Sequence, residues 1–316
     1  MSAGPRITPT RREALLALAA GLSPLAGHTQ PKPQRQQSPR GPATRAIPAT
    51  GELVPAIGLG TWITFNVGND PAARGNCADV MRAFFDAGGR MVDSSPMYGS
   101  SQSVVGEGLA RINRTAGVFA ADKVWIGSGA RGPAQIEESR KLWRVPRFDL
   151  LQVHNLLAWE QHLPALLAMR SAKQLRYVGI TTSEGRRHSE IESIMASQPI
   201  DFVQITYNPL DRDVESRILP LAREKRIAVI ANRPFREGAL LRALKSHALP
   251  PWAKTELGCD GWAQFVLKFI VSHPAVTCAI PATRSVAHVQ QNMGAAVGPM
   301  PDAAMRDRMA AHLQAL

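Results

Sequence analysis

The chain has three cysteines in 316 residues, Cys77, Cys259 and Cys278. That is too few for a disulfide scaffold, and their separation matches no zinc pattern. They read as small buried hydrophobes, although an oxidising compartment would allow one pair to bridge. No apolar run reaches the roughly 20 residues a bilayer crossing needs, so a multi-span membrane protein is excluded. No Gly-x-Gly-x-x-Gly follows any strand candidate, which disfavours a Rossmann dinucleotide domain. The histidines form no pair at ligand spacing with an acidic third member, so no metal is expected. A basic stripe with interleaved aromatics is also missing, and with it the footprint of a nucleic-acid reader.

What charge there is lies unevenly. The net is +12, yet residues 1–49 hold seven Lys/Arg and a single acid, while the other 267 residues hold 30 basic and 24 acidic side chains. The body is only mildly basic, a balance that serves solubility. Thr10-Arg11-Arg12 precedes a short apolar stretch from Ala14 to about Ala26. Paired arginines before a weakly hydrophobic segment resemble a bacterial twin-arginine export signal. Ala14 stands where such signals usually carry Phe, and no clean small-x-small cleavage site is present. The expectation is a signal over 1–27, passage through the twin-arginine (Tat) translocon and a periplasmic location. A cytoplasmic protein with a basic tail is the alternative. Residues 28–44 contain five Pro and Gly and no apolar periodicity, and read as a disordered linker.

From residue 45 to 316 the pattern changes. An opening hairpin is expected over Arg45–Pro48 and Gly51–Val54, turning at Ala49-Thr50-Gly51. Short apolar strands follow at 57–61, 90–93, 118–121, 149–153, 176–180, 201–205, 227–231 and 276–280. Helical patterns lie after them at 76–88, 102–113, 134–143, 159–173, 187–196, 214–225, 260–272 and 285–293. Strict alternation implies parallel strands joined by crossover helices. An open doubly wound sheet is the competing layout, but eight uninterrupted units favour the closed (β/α)8 TIM barrel, an α/β fold.

In such a barrel, functional groups sit at strand C-termini. Those ends carry Thr61-Trp62, Asp93 with Tyr98 soon after, Asp122-Lys123, His154-Asn155, Gln204 with Tyr207-Asn208, and Thr283-Arg284. Hydride reduction of a carbonyl builds negative charge on oxygen and needs a donor there that can release a proton. A tyrosine hydroxyl has a free pKa of about 10. A lysine beside it would lower that value, a carboxylate would hold the lysine, and a histidine would supply a second hydrogen bond. Tyr98, Lys123, Asp93 and His154 are those four residue types.

The chain resembles the aldo/keto reductase family from about Arg45 to the C-terminal helix, and specifically members with a twin-arginine signal. The matching stretches are Gly58–Trp62, Asp93–Gly99, Phe148–Asn155, Arg176–Gly179, Gln204–Asn208 and Ile280–Arg284, with Asn292 beyond them. The resemblance implies reduction of aldehydes or ketones with NADPH, NADH being possible. Tyr98 would be the proton donor, tuned by Lys123 and Asp93, with His154 orienting the carbonyl. It implies cofactor contacts from Gly60, Thr61, Trp62, Asp93, Thr181 and Gln204, and Tyr207 stacking on the nicotinamide. Arg233, Phe235, Gly238 and Leu240 would cover the pyrophosphate; Thr283, Arg284, Gln291 and Asn292 would meet the adenosine end. The family's Ser-Asn pair after the fifth strand is Thr181-Thr182 here, and His288 stands where an arginine is frequent.

Two alignments compete for the lysine. A strand over Val124–Ser128 would put Gly129 in its place and imply a dead enzyme; a strand over Val118–Ala121 leads to Lys123 and is the better strand. In the second, Asp122 replaces a small hydroxyl residue and would set an extra carboxylate beside the ammonium. An alternative function is a nucleotide-binding barrel with little turnover, a redox sensor or interaction partner, motivated by the lost Ser-Asn pair and arginine; a Lys123 far from Tyr98 would favour it. The substrate is expected to be a small carbonyl compound. The stretch 236–259 after the seventh strand shows no pattern.

Overall fold

The computed structural model describes Met1 and residues 41–316; the rest of the expected signal and residues 28–40 of the expected linker lie outside the described residues. The first element of the described residues is a two-stranded hairpin, β1 (Thr44–Ala46) and β2 (Leu53–Pro55), in which Thr44 faces Pro55 and Ala46 faces Leu53. Thr44, the last residue of the expected linker, is thus already paired. Ala43 is tied to the far end of the chain by its N–H to the Ala296 carbonyl at 2.7 Å.

Eight parallel strands follow: β3 (Leu59–Gly60), β4 (Met91–Asp93), β5 (Phe119–Val124), β6 (Leu150–His154), β7 (Tyr177–Thr181), β8 (Phe202–Thr206), β9 (Ala228–Asn232) and β10 (Val276–Ala279). Each pairs with the next in chain order. Parallel bridges from Ile57 to Ala279 and from Gly60 to Ala282 join the two edges and close the barrel. Closure explains Gly60. Its N–H reaches the Pro281 carbonyl at 3.1 Å, and a Cβ there would come within 2.6 Å of the Ile280 carbonyl oxygen.

The eight strands are buried along their length, save for half-buried Asn232 at the end of β9, because helices cover the sheet outside and side chains fill it inside, which is why they read as continuous apolar runs. The crossovers are α1 (Pro71–Asp86), α2 (Ser101–Arg111), α3 (Gly132–Trp143), α4 (Trp159–Ser171), α5 (His188–Ser197), α6 (Ile218–Glu224), α9 (Trp262–Val271) and α10 (Val286–Gly294). In α1, Asp70 caps the helix by accepting from the N–H groups of Ala72 and Ala73, and Pro71 sits where a missing N–H costs nothing. Its buried face, Cys77, Val80, Met81 and Phe84, repeats at helical spacing.

Two differences from the sequence pattern matter. The third barrel strand runs to Val124, so Asp122 and Lys123 lie inside it rather than beyond its end. The unpatterned stretch 236–259 folds into α7 (Ala239–Ala243) and α8 (Pro251–Leu257), each too short to display a 3.6-residue period. A final helix, α11 (Ala303–Gln314), ends the chain. All three cysteines are free and buried. Among the described residues no helix is long and apolar enough to cross a membrane.

Candidate active site

Side chains alternate along a strand, so register decides which ones meet inside the barrel. The lower interior is an apolar layer that includes Met91, Phe119, Leu150, Tyr177, Phe202 and Ile230, with Ile47 and Val54 of the hairpin segment in the same cluster. Two or four residues further along the same strands stand Asp93, Lys123, His154, Thr181, Gln204 and Asn232. Every strand from β4 to β9 therefore turns apolar inside below and polar inside at its C-terminal end.

Those polar groups bond to one another across strands. Lys123 Nζ donates to Asp93 Oδ1 at 2.5 Å and to the Ser94 carbonyl at 2.9 Å. The other Asp93 oxygen accepts from Gln204 Nε2 at 3.0 Å and from Gln152 Nε2 at 3.4 Å. Thr61 Oγ1 donates to the Asp93 carbonyl at 2.9 Å. Thr181 Oγ1 donates to Gln204 Oε1 at 3.2 Å. Tyr98 ends the short turn Pro96–Tyr98 that follows β4, and Lys123 Nζ lies 5.3 Å from its ring centroid. The Tyr98 ring also meets His154 edge to face at 5.6 Å and leans against Trp62 at 4.9 Å. Trp125 stands behind His154 at 6.5 Å.

Burial and charge set the protonation states. Burial raises the Tyr98 hydroxyl above its ordinary value, and the nearby Lys123 ammonium, which works the other way, does not overcome it. The lysine lowers Tyr98 as expected, but burial is the larger effect and the net shift is upward. Burial works most strongly against the Lys123 ammonium, but Asp93, Tyr98 and Asp122 together hold the lysine above its ordinary value. His154 is pushed down to about 2, first by burial and then by Lys123, so its imidazole is neutral. Asp122 is one residue out of phase with Lys123 and points to the opposite side of β5. There it accepts from Gln102 Nε2 at 2.7 Å, and Gln102 also donates to Ser139 Oγ at 2.9 Å. Burial pushes Asp122 up to about 7.

A cleft of about 580 Å³ opens above this cluster. Of the residues expected to serve the site, Gly60, Thr61, Trp62, Asp93, Tyr98, His154, Thr181, Gln204, Arg233, Phe235, Gly238, Thr283, Gln291 and Asn292 line it. Lys123 lies behind Asp93 and Tyr98. Three expectations need correction. Tyr207 is one residue out of phase with Thr206 and faces the helix layer, where its hydroxyl bonds to Glu215 and Arg306 and its ring packs on Phe269 and His273. It cannot stack on anything in the cleft. Leu240 turns into the core, and its neighbours Leu241 and Arg242 reach the cleft instead. Arg284 is exposed outside the cleft beside Cys77, and Asn76 Nδ2 donates to its carbonyl at 2.7 Å.

Several cleft residues were not singled out from sequence. Asn232 is the inward residue that ends β9, and counting by twos from Ala228 would have found it. Arg186 comes from the loop after β7 and Arg242 from the short α7, neither with a motif. With Arg233 they put three guanidiniums on the cleft, opposite the Tyr98 end. Arg233 is held by Glu184 at 2.9 Å and Glu237 at 2.6 Å. Arg242 bonds only the Glu237 carbonyl, at 3.4 Å, among the described residues. The N-terminus of α10 lies at the same end, capped by Ser285. Guanidiniums and a helix N-terminus suit phosphate groups. Such a donor set fits a phosphorylated dinucleotide.

Residues 56–311 match the aldo/keto reductase family. The chain belongs to that family. A methylglyoxal reductase of Escherichia coli is 27% identical over 257 residues, covering 78% of this chain and 88% of its own. An NADH-specific methylglyoxal reductase of the same organism is 24% identical over 234 residues, 63% of this chain and 69% of its own. An aldo/keto reductase of Klebsiella pneumoniae, solved with NADP and acetate, shares the fold with a TM-score of 0.71 at 23% identity, covering 83% of this chain and 93% of its own. In this aldo/keto reductase, then, the polar cluster sits at the barrel mouth where functional groups are expected.

Proposed function

We propose that the protein reduces an aldehyde or ketone to the alcohol, with Tyr98 giving the proton and NADPH the hydride. One observation carries the reading: Tyr98, Lys123, Asp93 and His154 converge at one end of a cleft whose other end is lined by Arg186, Arg233 and Arg242. The nicotinamide, when bound, supplies a hydride to the carbonyl carbon. The raised pKa keeps the Tyr98 hydroxyl protonated near neutral pH, ready to give its proton to the developing alkoxide. Lys123 then stands beside the phenolate left behind, and Asp93 holds that ammonium in place. Neutral His154 offers a hydrogen bond to the same oxygen. Thr181, Gln204 and Asn292 would hold the nicotinamide and adenosine ends, with Phe235 and Gly238 over the phosphates. Arg242, which has no carboxylate partner among the described residues, is a cation that favours NADPH; NADH is the competing carrier.

A Lys123 far from Tyr98 would favour the sensor reading, and at 5.3 Å from the ring centroid it lends that reading no support. The deciding experiment follows NADPH consumption by the purified protein against methylglyoxal, simple aldehydes, ketones and quinones. Turnover on a carbonyl supports the proposal. Tight NADPH binding with no turnover on any of them would favour the sensor, and no binding would remove the cofactor assignment.

We also propose export by the twin-arginine route, on the strength of Arg11-Arg12 and the apolar stretch after them. A cofactor that binds only the folded barrel gives a reason to fold before crossing. Replacing both arginines by lysine should leave precursor in the cytoplasm; an unchanged periplasmic yield would remove the idea.

A further inference from the structure

Ser95 stands directly before the turn that carries Tyr98. Its Oγ accepts from the Met97 N–H at 3.2 Å and so caps that turn. The same Oγ lies 2.7 Å from Nδ1 of His154, 59 residues further along the chain. Ser95 is fully buried and His154 is 6% exposed. Nothing in the family resemblance or the relatives assigns this serine a part.

Counting hydrogens decides the direction of the second bond. A hydroxyl has one hydrogen and two lone pairs. One lone pair already takes the Met97 N–H. Were His154 protonated on Nδ1, that N–H would take the other lone pair, and the serine hydrogen would be left without an acceptor in a buried place. Such an orphan costs about 1–3 kcal/mol. With the hydroxyl donating to Nδ1, all three groups are satisfied and the imidazole proton sits on Nε2. Nε2 has no protein partner among the described residues, and His154 lines the cleft. Because the ring is neutral, it must adopt one tautomer or the other.

We propose that Ser95 is a positioning residue for carbonyl reduction: its single hydroxyl caps the Tyr98 turn and locks His154 in the Nε2–H tautomer. Both donors then face one carbonyl oxygen. Released from Ser95, His154 also visits the Nδ1–H tautomer, which turns a lone pair toward that oxygen. The proposal rests on Tyr98 and His154 being the two donors to the substrate.

The test uses nitrogen NMR of the full-length protein with 15N-labelled histidine, with His154→Gln assigning the signals, beside steady-state kinetics. The wild type should show Nε2 protonated. Ser95→Ala should add an Nδ1–H population and lower kcat about tenfold to a hundredfold, below the about 10²–10³ of deleting an oxyanion donor, with KM little changed. Ser95→Thr should restore both. Protonated Nδ1 in the wild type would overturn the proposal without any variant. So would a Ser95→Ala protein that loses kcat with its tautomer unchanged, or keeps full kcat. Wild-type turnover in His154→Gln would instead sink the reading of the site, while the spectra alone still decide whether Ser95 sets the tautomer.

Discussion

The two ends of the cleft are built differently. At the Tyr98 end, Asp93, Lys123, Gln204 and Thr61 come from different elements, are buried and bond one another at 2.5 to 3.0 Å. At the other end, Arg242, His288 and Gln291 are exposed, and among the described residues Arg242 holds only a weak backbone contact. Bonds across strands hold each side chain in one place, as chemistry requires. An exposed arginine on a short helix instead offers charge to whatever phosphate arrives. Substitutions should therefore cost rate at the first end and affinity at the second.

The largest effect is expected from Tyr98→Phe, which removes the proposed proton donor and leaves the ring. Its kcat/KM should fall about 10²–10⁴-fold, while NADPH binding, followed by fluorescence, stays within about twofold of wild type. Equal losses of binding and rate would blur the division between the ends. Lys123→Met should lose about 10²-fold or more in kcat and also destabilise the fold by about 3–5 kcal/mol, because Asp93 is left buried without its partner. Pairing it with Asp93→Asn should recover melting temperature but not turnover. Recovery of both would make the pair structural only.

Asp122 sharpens the comparison within one strand, since it flanks Lys123 yet faces the helices. Its folded pKa of about 7 lies above the ordinary carboxylate value of 3.8. A raised pKa means stability present below the ordinary value and lost as pH climbs through the folded one. The loss amounts to about 4 kcal/mol above neutrality, at about 1.4 kcal/mol per tenfold. Denaturant midpoints of Asp122→Asn and wild type should differ least below about pH 4, draw apart as pH rises from about 4 to about 7, and stay apart above that, with the variant gaining relative to wild type. Parallel curves would contradict this. The smallest effects belong to the far end. Arg242→Ala should weaken NADPH binding about tenfold, a cost of about 1.4 kcal/mol, and leave kcat nearly unchanged. Arg284→Ala should do less, and the reverse order in titrations would return Arg284 to the site.

The same contrast governs what could be read from the chain. The barrel was legible because each strand is a distinct apolar run, and the polar cluster at its mouth because its residues lie at or near the strand ends. Tyr98, Asp93, Lys123 and His154 meet because 93, 123 and 154 share the inward phase of their strands. Tyr207 misled for the same reason. It follows β8, and only the phase from Gln204 through Thr206 reveals that it faces outward. Leu240 and Arg284 lie where five-residue α7 and a loop set direction, and no period survives over so few residues. Ser95 carried no signal, because its part depends on a histidine 59 residues away.

The most direct test of the account is the pH dependence of wild-type turnover in both directions. Burial, not Lys123, sets the Tyr98 proton in this description. Carbonyl reduction should therefore stay level from about pH 7 to about pH 9, while alcohol oxidation, which needs the phenolate, should still be rising at about pH 10. An oxidation rate that levels off near about pH 8 would put the hydroxyl below its ordinary value and contradict the account.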